Sequence, residues 1–372
     1  MNGNNLGSES LNMDFLVVGG GVIGLSSALE LTRHGAKVAV LDRGVCGGES
    51  SWAGGGILLP LLPWDYPEPV TRLTQWSAAH YPAWVDGIAA SSGIDPEYMQ
   101  SGMLVLPDYD EGAADEWCAS HQVRLEKKRA HDIAGALAWD AVSLWLPEVA
   151  QVRNPRLVKA LRCALEREGV RVVEQAEVTG VCFAGNAVSR LETSAGSFSA
   201  SHYVIAAGAW SKPLLGEYAP LLDLKPVCGQ MLLFKAGPGL LQQIVIQSGF
   251  YLIPRADGHI LAGSTLEDVG FAKRTTVEAR LELHAKAASL LPPLKNLAPV
   301  RHWAGLRPGS PENIPVIARH PEIENLYLNS GHFRYGVTMA PASAHILANL
   351  IFQRMQPFDV SPYNWPAMHL NY

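Results

Sequence analysis

Gly19, Gly21, Gly24 and Asp42 stand at a spacing that suits binding of a dinucleotide. In a GxGxxG turn the first glycine permits a tight bend, and the second lets a pyrophosphate approach the backbone. The third lets the following helix pack closely on its strand. Val22 and Ile23 then open a helix whose free N–H groups and positive dipole end suit phosphate. Asp42 lies 18 residues after Gly24, where an acid can hydrogen-bond ribose hydroxyls, and Arg43 follows it. A second constellation occupies 331–336, GHFRYG. There Gly331 and Gly336 bracket Arg334, with His332 and Phe333 before it and Tyr335 and Val337 after.

The elements that must position the first constellation follow in order. Residues 15–18 form a short apolar run, 22–34 a helical pattern closed by Gly35, and 37–41 a second apolar run. A plain glycine-rich turn accounts for the glycines and leaves Asp42 unexplained. The next stretch, GVCGGESSWAGGGILLP (44–60), is small and glycine-rich, with Ser50, Ser51, Ala53, Gly54 and Gly55 close together. An NAD domain would proceed to its next crossover helix. A loop so stripped of bulk suits backbone lying against a second planar group, which favours FAD, its flavin ring reached by this loop.

Further along, residues 60–149 read as helical, and Trp76, Trp84 and Trp117 read as packing residues. The basic run EKKRAH (126–131) reads as a solvated helix face. Residues 152–178 give a helix ended by Gly169, then strands. A strand at 203–206 ends in AAGAWS, where Ala207, Gly208 and Trp210 offer a second backbone approach to a cofactor; a plain strand end fits these residues equally well. From Pro226 the pattern turns to strands, two of them joined by the hairpin signal Asp257-Gly258. A helical pattern at 276–292 and a strand at 325–331 lead back to GHFRYG. Val337, Ala340, Ala344, Leu347 and Ile351 then make one apolar stripe of a helix. The second constellation thus repeats the logic of strand, glycine turn and helix, with the helix N-terminus aimed at the turn. At a flavin's N1–C2=O edge such a terminus would stabilise the reduced ring.

The composition agrees with an α/β enzyme of two compact regions. The chain has 372 residues, 48% hydrophobic and 17% charged, which a buried core requires and disorder does not. A formal charge of -6 and pI near 6.1 give no electrostatic footprint for nucleic acid or anionic membrane. The five cysteines are scattered without a CxxC pair, so reduced thiols are expected and neither disulfides nor zinc. The twelve histidines form no HxxxH pair, and no metal is expected. Residues 1–12 read as a flexible polar tail without a secretory signal, and the apolar stretch 15–29 is too short to span a bilayer. A cytoplasmic location is the expectation.

With these motifs assembled the chain resembles the D-amino-acid oxidase superfamily, and most closely the glycine oxidases of thiamine-thiazole biosynthesis. The matching stretches are VVGGGVIGLSSALEL, ESSWAGGGI, NPRLVKAL, AAGAWS, PVCGQM, YLIPRADGHILAGSTLEDVGF, WAGLRPGSPENIP and GHFRYGVTMAPAS, in order over 13–352. The resemblance implies a discontinuous, Rossmann-like FAD-binding domain (13–84, 150–224 and 302–372). It also implies a substrate domain with a largely antiparallel sheet (85–149 and 225–301). It implies that Arg334 clamps a substrate carboxylate, that Tyr251 contacts the same group, and that Arg307 neighbours the substrate. Val178 matches a residue whose backbone contacts adenine, and 331–336 matches the loop under the flavin. No cysteine stands in WAGLRPG where sarcosine oxidases tether the ring, so FAD is expected to be non-covalent. Three positions depart from the family pattern: GHYRNG is usual where Phe333 and Tyr335 stand, and some members carry a histidine at Gly249.

The implied reaction is oxidative deamination of a small amino acid, glycine first, by hydride transfer to flavin N5. Oxygen and water would be consumed, giving glyoxylate, ammonia and hydrogen peroxide. The alternatives are an oxidase or dehydrogenase of sarcosine or a D-amino acid, or a non-catalytic FAD-binding regulatory protein. The partners implied are a small amino acid or amine, molecular oxygen and, as an open option, further copies in a homo-oligomer. Neither nucleic acid nor membrane is implied.

Overall fold

Side chains of the strand Met13–Val18 alternate between two cores in a computed structural model that describes residues 13–366. The expected tail, 1–12, lies outside the described residues. Phe15 and Val17 face a core shared with helices Val22–Arg33, Glu68–Ser92, Asn154–Arg167 and Gly336–Ile351. Leu16 and Val18 face the opposite core, closed by the antiparallel strands Val178–Ala184, Ala187–Thr193 and Gly196–Phe198. Burial on both faces is why the strand reads as an unbroken apolar run.

This sheet has six strands, in the order Val316–Arg319, Leu326–Ser330, Ala200–Ile205, Met13–Val18, Val38–Leu41, Arg171–Val173. All neighbours are parallel except the first pair. The parallel strands therefore deliver Gly19, Asp42, Ala206 and Gly331 to one carboxyl edge, the place where such sheets bind ligands.

A second sheet of eight strands runs Arg301–Gly309, Lys225–Lys235, His259–Gly263, Phe250–Pro254, Ile244–Gln247, Met103–Val105, Val142–Leu146, Glu126–Arg129. It is antiparallel except where Ile244–Gln247 meets Met103–Val105. Leu232, Phe234, Leu252 and Ile260 pack against the helix Val277–Leu290 on one face. Met231, Tyr251, Ile253 and Leu261 share the other core with Ile57 and Leu61 of the glycine-rich loop. The hairpin signalled by Asp257-Gly258 joins Phe250–Pro254 to His259–Gly263.

Several expectations are corrected here. Residues 60–149 are not helical throughout: strands at Met103–Val105, Glu126–Arg129 and Val142–Leu146 complete the eight-stranded sheet. The basic run is no helix face, since Glu126–Arg129 is the sheet's edge strand, where charge discourages pairing with another chain. The helix Gly336–Ile351 is not buried along one stripe alone, because Met339, Ala342, Ser343 and Ile346 are buried as well, wedged between Val22–Arg33 and Glu68–Ser92. Arg301–Gly309 pairs along its length with Lys225–Lys235. Among the described residues no helix is long and apolar enough to cross a membrane, and no group of three or more metal-ligating side chains is gathered.

Candidate active site

The carboxyl edge of the first sheet and the cavity-side face of the second enclose a cavity of about 410 Å³. Its lining begins at the N-terminal turn. Gly19 has φ +111°, and a Cβ there would stand 2.4 Å from the Ala206 carbonyl oxygen. The bend and the strand spacing both need glycine. Gly21 has only the Ser51 hydroxyl near its missing Cβ, so its face stays open to a ligand. That hydroxyl accepts from the Val22 N–H at 2.9 Å. The N-cap residue of the helix Val22–Arg33 is Gly21, which has no side chain to cap it, Ser51 takes only the first N–H, and the first turn holds no acid, so the dipole end is left for an anion.

Asp42 accepts from the Gly20 and Gly44 amides at 2.7 and 2.8 Å, which ties the second strand's end to the turn. Burial raises its pKa above the ordinary carboxylate range, against those two bonds. Arg43 stacks 3.6 Å over the Trp210 ring. Asn154, first residue of its helix, donates to the Ser51 carbonyl at 3.0 Å and so braces the glycine-rich loop. Gly56 lies against it with φ +79°, its missing Cβ 2.1 Å from the Val152 carbonyl oxygen.

Three cationic or phenolic groups project from other elements. Tyr251 lies on the cavity side of its strand with its hydroxyl 3.8 Å from the Met231 sulfur. Arg307 donates to the Ser264 hydroxyl at 2.7 Å and to the Thr265 and Cys228 carbonyls at 3.3 and 3.4 Å. Burial pulls its pKa down; the Tyr251 hydroxyl opposes this and the charge of Arg334 adds to it. Arg334 is exposed, 5.8 Å over the Phe333 ring, and no hydrogen bond or ion pair holds it among the described residues. Phe333 has φ +43°, unusual for a bulky residue, and its N–H bonds the Pro308 carbonyl at 3.0 Å. Tyr335 donates to the Tyr66 hydroxyl at 2.5 Å. His332 is buried against the Ser343 hydroxyl at 2.8 Å, and burial pushes its pKa down to about 3.

Of the site residues read from the sequence, only Gly24 and Gly331 do not line this cavity. Gly24 sits beneath the turn, where a Cβ would fall 1.8 Å from the Gly19 carbonyl oxygen. Gly331 has φ +88°, and its carbonyl accepts from Ser310. The sequence reading missed Gly56, Asn154, Gly229, Met231, Ser264 and the run Ile57, Leu59, Leu61, all of which line the cavity. Alternate apolar residues directly after a triple glycine were the available signal for the last three.

The open Gly21 face, the helix start without an acid in its first turn, and a lining that joins both sheets fit an extended dinucleotide with a ring system. Fold and site together define an FAD-dependent oxidoreductase, and the model of the FAD dependent oxidoreductase family matches residues 14–350. The chain belongs to that family, and FAD is its cofactor. Within the family it is 44% identical over 354 residues to the glycine oxidase of Pseudomonas aeruginosa, covering 94% of this chain and 97% of that one. It is 43% identical to the glycine oxidase of Pseudomonas putida, over 95% and 98% of the two chains. The crystal structure of glycine oxidase from Geobacillus kaustophilus superposes with a TM-score of 0.89 at 28% identity, over 95% and 98% of the chains.

Proposed function

We propose that this enzyme oxidises a small amino acid, glycine first, converting glycine, O2 and water to glyoxylate, ammonia and hydrogen peroxide. The observation that carries the reading is the meeting of Arg307, Tyr251 and an unpartnered Arg334 at one cavity. The naming of its near relatives as glycine oxidases supports it.

The planar fork of Arg334 suits two parallel hydrogen bonds to a carboxylate, and the Tyr251 hydroxyl adds a third donor. Arg307 is held by Ser264 and two carbonyls, so it serves as a fixed positive charge beside that carboxylate. Two guanidiniums close to a bound amino acid also favour loss of its ammonium proton, and the amine must be neutral to be oxidised. The chemistry FAD supplies when bound is acceptance of a hydride from the α-carbon, with O2 as final oxidant. The residues that would hold it are the Gly19–Gly21 turn, Asp42, the 50–56 loop, the 207–210 turn and the 332–337 turn. In this reading the six-stranded part binds FAD and the eight-stranded sheet roofs the substrate. Ile57, Leu59 and Leu61 give that space an apolar wall that keeps water away.

Peroxide release on a panel of glycine, sarcosine and D-alanine tests the proposal. Glycine should yield peroxide, and Arg334→Ala should lower kcat/KM at least ~30-fold, about 2 kcal/mol, with the flavin band retained. Peroxide from sarcosine or D-alanine alone would change the substrate. Dye reduction without oxygen consumption would make the enzyme a dehydrogenase. A flavin band that no amine bleaches under argon would overturn the reading.

A further inference from the structure

The motif PVCGQM contains a side chain with no part in the site above. Gln230 is fully buried in the strand Lys225–Lys235, and it pins both ends of one loop, 264–276. Its backbone N–H donates to the Thr265 hydroxyl at 2.8 Å, and its amide nitrogen donates to Glu267 at 2.9 Å. Its amide oxygen accepts from the Thr276 N–H at 2.9 Å, and its nitrogen also reaches the Thr276 hydroxyl at 3.4 Å. Glu267 and Cys228 exchange backbone hydrogen bonds of 2.9 Å in each direction. The base of the loop is thus an extension of the eight-stranded sheet.

The tip of the loop leaves that sheet and reaches the other one's loops. Lys273 pairs with Glu49 at 2.6 Å, and the second oxygen of Glu49 pairs with Arg43 at 2.9 Å. Arg43 stacks on Trp210, and Phe271 meets the same ring at a centroid distance of 5.5 Å. Arg43, Glu49 and Trp210 line the cavity, whereas Phe271 and Lys273 do not. The tip therefore braces three cavity-wall residues from outside. At the base, Ser264 and Thr265 accept from Arg307.

We propose that 264–276 is a strap that retains FAD: its tip locks Arg43, Glu49 and Trp210 over the cofactor, and Gln230 is its anchor. The strap fixes those wall residues across the seam between the two sheets, so the cofactor leaves only when the tip lifts. The pairs at the tip are half-exposed, and each contributes modestly, so the combined effect is a kinetic one of about tenfold. Salt should weaken the Lys273–Glu49–Arg43 chain and leave the Phe271–Trp210 contact intact. The proposal rests on FAD occupying the cavity and is independent of which amine is oxidised.

The experiment measures FAD release, by recovery of flavin fluorescence on dilution of the FAD-loaded enzyme. The parent is compared with the double variant Phe271→Ala/Lys273→Ala, with Gln230→Leu, and with Lys286→Ala as a remote charge control on the helix Val277–Leu290. Release should be roughly tenfold faster in the double variant, faster also in Gln230→Leu, and unchanged in Lys286→Ala. Trypsin provides a second readout, because Lys273 and Arg274 lie at the tip. Cutting there should be slow in the FAD-loaded parent, fast in the apoprotein, and fast in the loaded Gln230→Leu enzyme. Release from the double variant within about twofold of the parent, with cutting indifferent to FAD, would overturn the strap. Faster release from the double variant, with a parent that oxidises no amine, would leave the strap standing and remove the proposed function.

Discussion

Arg255→Met probes a cation that touches no substrate. Arg255 follows the strand Phe250–Pro254 and is 7% exposed. Burial pulls its pKa down to about 10, helped by the neighbouring charge of Arg153, so it remains a cation at neutral pH. Its guanidinium donates to the Gln151 side-chain oxygen at 2.6 Å, the Val152 carbonyl at 3.0 Å and the Gly55 carbonyl at 2.7 Å. The last bond matters for function, because Gly55 lies in the glycine-rich wall of the cavity. Methionine keeps much of the volume and removes every donor, leaving these acceptors buried without a partner. An unsatisfied buried acceptor costs about 1–3 kcal/mol, and relief from burying a charge offsets part of that, so the net loss is about 3 kcal/mol. With an unfolding entropy of roughly 2.1 cal/mol/K per residue, the melting temperature should fall by about 4 °C. FAD affinity should fall with it, since the loop is no longer held from behind. Arg255→Lys keeps the charge but cannot reach all three acceptors, and should fall between. Calorimetry of the FAD-loaded proteins and flavin titration of the apoproteins give the two readouts. A methionine variant that melts within about 1 °C of the parent and binds FAD as tightly would refute the reasoning.

His332 stays neutral in the fold, with a pKa near 3, whereas an unfolded histidine binds a proton below about pH 6.5. The stability this gives is complete above that pH and is lost as pH falls, at about 1.4 kcal/mol per unit. Denaturant unfolding at pH 7 and pH 5 should show the parent losing roughly 2 kcal/mol that His332→Gln does not lose; equal losses would disprove it. Gly56→Ala would place a Cβ 2.1 Å from the Val152 carbonyl oxygen and 2.4 Å from the Asn154 side-chain oxygen, at φ +79°. It should destabilise the protein by about 2–4 kcal/mol and be purified without flavin. Normal flavin content and melting temperature would contradict the close approach.

The parts of the fold that were readable had local causes. The turn at Gly19, the helix after it and the strand ending at Asp42 are set by neighbours within thirty residues. Met103–Val105 was unreadable because three apolar residues buried on both faces show no alternation. Glu126–Arg129 looks helical and solvated because an edge strand carries charge for a reason unrelated to its conformation. In and around the site, Asn154, Gln230 and Arg255 share one difficulty. Each is a buried polar side chain that bonds groups far off in sequence, such as Arg255 with the Gly55 carbonyl. Such partners leave no spacing to find. Phe333 and Tyr335 stand out in the sequence as departures, yet only the folded chain shows Tyr335 tied to Tyr66.

The order of strands in the six-stranded sheet has a consequence for how the protein is made. Met13–Val18 leaves the ribosome before its partners: one neighbour is Ala200–Ile205, and Leu326–Ser330 must follow before the sheet is whole. The helix Gly336–Ile351, which fills the space between two earlier helices, emerges later still. At ~5–20 residues per second, the nascent chain waits roughly 15–60 s with the apolar runs at 15–18 and 38–41 incompletely covered. During translation the turn at Gly19 is therefore made long before the strands and helix that finish its surroundings.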